Sequence, residues 1–343
     1  MLDRRARARF RQHRGAMVGS AIVLGLAAFA LFGPLLSGKD PYASDFVHGV
    51  LPDTGLPAPP SGAFVLGADR LFRDQFVRLA VGARLSLLIA LSAAALANVL
   101  GAAVGILAGY YEGTDGVRLP WPFLTSLAFA FLLIVAQGHW LAPVATLVAG
   151  ALVGVFAVKR KIAWLARGPQ LNLDIALMRL VDVGLCFPFL LLVMAIGAAL
   201  ERTTAISVFV VLGLTGWLGA ARIFRAKTLQ VRHLEYVQAS RALGQSTPWI
   251  LIRHILPNLS GTFIVLSSSA VAQMILYESM LSYLGVGVAP PTPTWGHMLF
   301  QGQDIYAAAP WVVLAPAAAI LAAVFGFNLL GEGLRDALDP RES

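Results

Sequence analysis

The sequence has a single cysteine, Cys186, in 343 residues, so it holds no internal disulfide and no cysteine-built metal cluster. Charge is scarce as well: Asp, Glu, Lys and Arg make up 13% of the chain, against 58% hydrophobic residues. With a mean hydropathy of +0.74, a chain of this length cannot hide its apolar surface in one water-soluble core, and a polytopic membrane protein is the class that remains. Other absences narrow the chemistry. No G-x-x-x-x-G-K-[ST] is present to hold ATP phosphates, and neither H-E-x-x-H nor G-x-S-x-G occurs. The six histidines are scattered through loops and span ends, which provides no metal set, no cofactor site and no catalytic constellation. The sequence therefore does not read as an enzyme.

What is present is a series of long uncharged runs. They cover Gly15 to Gly38, Leu85 to Tyr110, Trp121 to Gln137, Trp140 to Val158, Val183 to Leu200, Ala205 to Ala221, Leu259 to Leu276 and Pro310 to Gly331. None contains Asp, Glu, Lys or Arg; the polar exceptions are Asn98, Gln273, Asn328 and scattered Ser and Thr. The reading is an all-α protein of eight transmembrane helices. The net charge of +8 gathers between these runs, where cytoplasmic loops and anionic headgroups account for it without nucleic acid. The arginine-rich start, LDRRARARFRQHR, precedes an apolar run too long for a signal peptide, so it reads as a retained anchor with a cytoplasmic N-terminus. Lys39 to Pro60, rich in Pro, Asp and Gly, reads as an external loop. Asp69 to Arg84 carries Arg70, Arg73, Arg78 and Arg84 on that outer side and is expected to be an amphipathic interfacial helix, its arginines snorkelling or paired with acids. Pro290 to Gly296 is expected outside, with Trp295 at the membrane interface. Cys186 is expected to pack as a small apolar residue.

The stretch built for water is Glu235 to Asn258, EYVQASRALGQSTPWILIRHILPN. Tyr236, Val237, Ala239, Ala242 and Leu243 give it a small apolar face, Gly244 a helix stop, and Thr247-Pro248 a second helix start. It reads as two short helices joined at a glycine, carrying Arg241, Arg253 and His254. A solvated basic loop between two spans is the plainer alternative.

Gln238-Ala239-Ser240, Gly244 and Leu256-Pro257 resemble the EAA loop of ABC importer permeases, with Gln238 where Glu is usual and Ser240 for the second Ala. The flanking stretches Ala68 to Leu87, Glu278 to Leu299 (ESMLSYLGVGVAPPTPTWGHML) and Phe327 to Arg341 are similar to the oligopeptide, dipeptide and nickel branch of that family. The resemblance implies a type-I importer permease fold with six family-type helices plus two inserted. In that family the stretch matching Gly109 to Asp115 runs almost directly into the one matching Met178 to Asp182. Here 119–175 is inserted between them, an apolar hairpin turning at Gly138-His139 and ending in the basic KRKIAWLAR of Lys159 to Arg167. His139 alone reads as a solvated turn residue rather than a ligand. The implied organisation is 1–84 for N-terminus, anchor and external loop, 85–332 for the permease domain with 222–258 as its cytoplasmic coupling loop, and 333–343 for a cytoplasmic tail.

By the same resemblance Glu235, Gln238, Ala239, Ser240, Gly244, Leu256 and Pro257 would contact an ATPase. The implied partners are a homologous second permease subunit, two cytoplasmic ATP-binding subunits, an extracytoplasmic solute-binding protein and membrane lipid, in a bacterial inner membrane. Glu278 and Ser282, at the outer end of a span, are candidates for the pathway mouth, and a headgroup-level carboxylate is their plainer reading. Two other functions stay open from the residues. An ion-coupled carrier needs ionisable groups inside the membrane, which the empty run interiors disfavour. A non-transporting scaffold would use the loops alone.

Overall fold

The computed structural model describes residues 9–113, 117–118, isolated positions between 122 and 156, 170–199 and 203–338. Apart from those isolated positions, the inserted runs, His139 and the Lys159 to Arg167 patch lie outside the described residues.

Helix α1, Arg14–Ser37, starts where the His13 ring accepts the Ala16 N–H and stops at Gly38, whose φ of 62° turns its N–H back to the Pro34 carbonyl. A loop with two isolated bridges, Val50 to Pro57 and Ala68 to Asp74, leads to α2, Gln75–Tyr111, capped by the Asp74 carboxylate on the N–H groups of Phe76 and Val77. After α2, the two-residue strands β1 (Val117–Arg118) and β2 (Gln170–Leu171) pair antiparallel. Then come α3, Leu173–Cys186, and α4, Phe189–Ala198, bent by 83°. The break follows from Pro188, which pushes Phe187 into an extended conformation (ψ 131°). Helices α5 (Ala205–Gly216) and α6 (Leu218–Arg232) bend by 41° at Trp217. Helix α7 is Glu235–Ala242, and α8 runs unbroken from Thr247 to Tyr283 with a π-helical stretch at Leu251–Ile255. Helix α9, Trp295–Gly302, and α10, Trp311–Leu338, complete the described chain.

Among the described residues, α1, α2, α8 and α10 are each long and apolar enough to cross a membrane, and counting each bent pair as one span gives up to six. The fold is an all-α bundle organised on α2, against which α1, α3, α5, α6, α8, α9 and α10 pack. Small residues make this approach possible. Gly101, Gly105 and Gly109 form one stripe of α2 beneath α6. A β-carbon at Gly101 would lie 2.7 Å from the Ala220 Cβ, one at Gly109 2.8 Å from the Arg225 carbonyl oxygen, and one at Gly105 would fall against the Ala221 carbonyl. Ala83, Ala90, Ala93 and Ala97 continue the buried surface of α2 into the main core, where Leu212, Met274, Ile275 and Phe327 meet it.

Several expectations change. Asp69 to Arg84 is not an interfacial amphipathic helix. Residues up to Asp74 form a turn and cap, and α2 begins ten residues before Leu85, inside the segment expected to precede the permease domain. Three of its arginines pair with acids, as expected: Arg73 and Arg78 are buried on the Asp69 carboxylate at 2.7 and 3.0 Å, and the exposed Arg70 pairs with Asp304 at 2.7 Å, while Arg84 is exposed. An unpaired buried guanidinium costs several kcal/mol, which is why Asp69 lies between two of them. Trp295 is not free to meet headgroups; it is fully buried and donates its indole N–H to the Leu79 carbonyl at 3.2 Å. Cys186 is exposed beside the α3–α4 break rather than packed. The run Val183 to Leu200 is a broken pair, because a proline at 188 interrupts it. The expected tail from 333 begins as the last turns of α10, through Leu338.

Candidate functional site

The stretch Glu235 to Asn258 is built around the C-terminal end of α2. Arg232, last in α6, donates to the carbonyls of Gly109, Tyr110 and Glu112 at 3.0, 3.2 and 2.7 Å and so closes the C-terminus of α2. Arg225 on α6 holds the Asp174 carboxylate through two bonds, 2.6 and 2.8 Å, and Glu112 through a third at 2.9 Å, which ties α2, α3 and α6 together. From that base α7 folds back. Val237 is buried with Tyr110, Phe224, Ile250, Ile255 and Leu259 in a small separate core, and the Arg241 guanidinium lies 4.9 Å over the Tyr110 ring.

The opposite face of α7 is bare. Glu235, Gln238 and Ala239 are exposed, and Ser240 is half-buried. Gly244 adopts φ +76° and its N–H returns to Arg241, ending α7 in the left-handed turn that glycine makes without strain. Next to it Leu243 is 81% exposed, an apolar side chain presented to solvent at a turn tip. Arg232, His233, Gln238, Arg241 and Ala242 line a basic cleft of about 430 Å³ alongside.

The second arm is not the short helix expected. From Thr247 the chain continues through Leu256 and Pro257, both exposed, into the apolar length of α8. Pro257 would collide with an ordinary helical turn and removes an N–H; the π-helical Leu251–Ile255 immediately before it widens the turn, with Leu256 N–H bonding Leu251. The residues singled out in sequence are thus brought to one end of the bundle, and His254 joins them. Its ring meets Ser240 Oγ at 2.9 Å and is flanked edge-on by Tyr236 and Trp249 at 5.5 and 5.0 Å. Sequence reasoning misses this bracing, though a Tyr and a Trp in the same water-facing stretch as the histidine are the available signal. The Arg225 network has none, its partners being 51 and 113 positions away.

Glu278 is elsewhere, near the far end of α8, and it makes no headgroup contact. It has no exposed surface. Ser282 Oγ donates to its Oε1 at 2.8 Å, while Oε2 and the Ser279 hydroxyl are buried without partners. The neighbourhood is the junction of α2, α8 and α9, where the Trp295 N–H donates to Ser86 Oγ at 3.2 Å. Among the described residues no group of His, Cys, Asp or Glu is placed to hold a metal ion.

The sequence that folds in this way matches a known family. Residues 162–343 fit the binding-protein-dependent transport system inner membrane component, and residues 3–56 the N-terminal TM domain of oligopeptide transport permease C. The chain belongs to this binding-protein-dependent permease family. It is similar to the oligopeptide transport system permease protein OppC of Bacillus subtilis, 31% identical over 97% of this chain and 88% of that protein. OppC of Escherichia coli K12 is 31% identical over 98% and 90%. The dipeptide transport system permease protein DppC of Alkalihalophilus pseudofirmus is 29% identical over the same shares. As a permease of this family the chain is a multi-pass inner-membrane protein and the membrane component of an ABC importer, not an enzyme.

Proposed function

We propose that this permease is one of two similar, non-identical subunits lining the pathway of a peptide importer, and that Glu235 to Asn258 is where a cytoplasmic ATP-binding subunit acts on it. The observation that carries this reading is continuity. The exposed face of Glu235, Gln238 and Ala239, the turn at Gly244 and the span of α8 form one mechanical unit, because Ser240 and His254 join the arms and α8 has no break from Thr247 to Tyr283. A 37-residue helix is about 55 Å long, well beyond the hydrocarbon thickness of a bilayer. Force applied at α7 therefore reaches Glu278 and Ser282 at the junction of α2, α8 and α9 without passing through a flexible linker.

A groove in the partner accepts α7 closely because Ala239 and Ser240 are small, and Leu243 supplies an apolar anchor. A pair of ATP-binding subunits closing on ATP then draws the two permeases between inward- and outward-facing states, and an extracytoplasmic binding protein delivers solute. The peptide class is supported by the relatives, named for oligopeptide and dipeptide transport. Both chain ends and Lys159 to Arg167 face the cytoplasm in this reading, each being a basic cluster beside an apolar run, or its continuation. Lipid surrounds the bundle, and no nucleic acid, metal or cofactor enters the mechanism.

The deciding experiment is energetic. Uptake of radiolabelled trialanine into cells or vesicles should survive collapse of the proton gradient while ATP is maintained, and stop when the partner ATPase is disabled. Uptake that follows the gradient and ignores the ATPase would make the chain an ion-coupled carrier.

A further inference from the structure

Prolines sit inside two of the membrane-length helices, Pro34 in α1 and Pro316 in α10. A proline offers no N–H, so the carbonyl four residues earlier loses its helical donor. Those carbonyls belong to Ala30 and Val312, and in lipid an orphaned carbonyl must find a donor on a neighbour. Both find it on α2. The Arg84 guanidinium donates through Nε to the Ala30 carbonyl and through Nη2 to that of Leu31 at 2.7 Å. The Gln75 side-chain amide donates to the Val312 carbonyl at 3.0 Å. Two different helices are thus held by one device at one end of α2, opposite the end that meets α7. In α8, Pro248 stands in the first turn, where a missing N–H breaks no helical bond, and Pro257 is accommodated by the π-helical turn of its own helix instead.

The two donors are held differently. Arg84 is exposed along its flank of α2, so solvent or lipid headgroups compete for its guanidinium. Gln75 is fully buried, but its Oε1 has no partner, and the bond to Val312 alone fixes the amide. A helix bending at an ordinary turn must break main-chain bonds. At Pro34 and Pro316 bending costs only a side-chain bond from a neighbour.

We propose that α2 acts as a clasp on two proline hinges, with Arg84 and Gln75 as positioning residues, and that release and re-formation of these bonds let the adjoining parts of α1 and α10 tilt during the working cycle. The clasp rests on geometry; its movement rests on the importer reading.

The test is a pair of double-mutant cycles in the purified complex with its partner subunits, reconstituted in proteoliposomes. Arg84→Ala should lower the melting temperature in the parental chain and have much less effect beside Pro34→Ala, because that replacement returns a main-chain N–H to the Ala30 carbonyl. Gln75→Leu should behave the same way beside Pro316→Ala. Equal losses in both backgrounds would overturn the clasp. Movement is read from ATP turnover, which needs no known cargo: Pro34→Ala and Pro316→Ala, each as stable as the parent, should turn over ATP several-fold more slowly. Turnover at the parental rate in both would overturn the hinges. A parental complex that hydrolyses ATP yet takes up no trialanine would count against the peptide assignment alone.

Discussion

Ser240 and His254 meet across the turn at Gly244, Oγ to Nε2 at 2.9 Å, and this contact makes one body of two helical arms. A set angle between the arms matters only if the turn between them is equally fixed, and Gly244 fixes it with φ +76°. Nothing lies within 4 Å of where a β-carbon on Gly244 would sit. The constraint at this position is therefore conformational within the chain, and steric only against a partner.

Replacement of Gly244 separates the two. Gly244→Asn keeps a residue that tolerates positive φ, whereas Gly244→Val forces a β-branched one into it. The Val protein should insert in the membrane but lose its ATP-binding subunits on purification, and the Asn protein should retain most of them if the partner groove has room. Normal co-purification and transport by Gly244→Val would place the coupling site elsewhere.

The α2–α6 crossing should tolerate no added bulk. Gly105→Leu would drive a side chain into the Ala221 carbonyl and the Phe224 Cβ, so the variant should fail to accumulate or melt far below the parent. Gly219→Ala is the matched control, since a β-carbon there meets nothing within 4 Å. Thermal melting of the two in detergent distinguishes a packing constraint from general sensitivity.

Arg225→Ala removes the cation shared by Asp174 and Glu112 and leaves the buried Asp174 carboxylate without it. Charged hydrogen bonds of this kind are worth about 1.5–3 kcal/mol. The melting temperature should fall by several degrees, and Asp174→Asn in the same chain should recover part of the loss by removing the uncompensated charge.

Acid should loosen α9 through His297. Burial, with Arg78 and Arg73 close by, holds its pKa below the ordinary value of 6.5. The unfolded chain therefore takes up a proton that the folded one resists, so this residue's contribution to stability is complete above pH 6.5 and declines as pH falls below it. The melting temperature of the parent should drop between about pH 7 and 5.5 more steeply than that of His297→Gln. Parallel profiles would show that His297 is not the group responsible.

The runs that lie in α1, α2, α8 and α10 and the glycine turn are legible in the sequence because each depends on local composition or spacing. Gly244 was readable from its place after a short helix. Glu278 was not, because a carboxylate just past an apolar run looks like a headgroup contact until α9 is seen folded over it. Asp69, Arg73 and Arg78 likewise looked amphipathic by their charge, whereas their burial depends on a loop and on Gln301, 228 positions from Arg73. Trp295 was placed at a surface by the habits of its residue type, and its actual partner, the Leu79 carbonyl, is 216 positions away. Long-range pairing of this kind leaves no periodic trace.

The pairing of Val117 with Leu171 and of Arg118 with Gln170 brings the chain back, at 170, to the place it leaves at 118. Glu112 and Asp174, which flank the strand pair in sequence, are bound together through Arg225. The neck between 118 and 170 is therefore held by main-chain and ionic bonds whose partners all lie outside residues 119–169. A sequence grafted between 118 and 170 would find both its attachment points already clamped, which makes this neck the doorway through which an engineer would join a reporter to the permease.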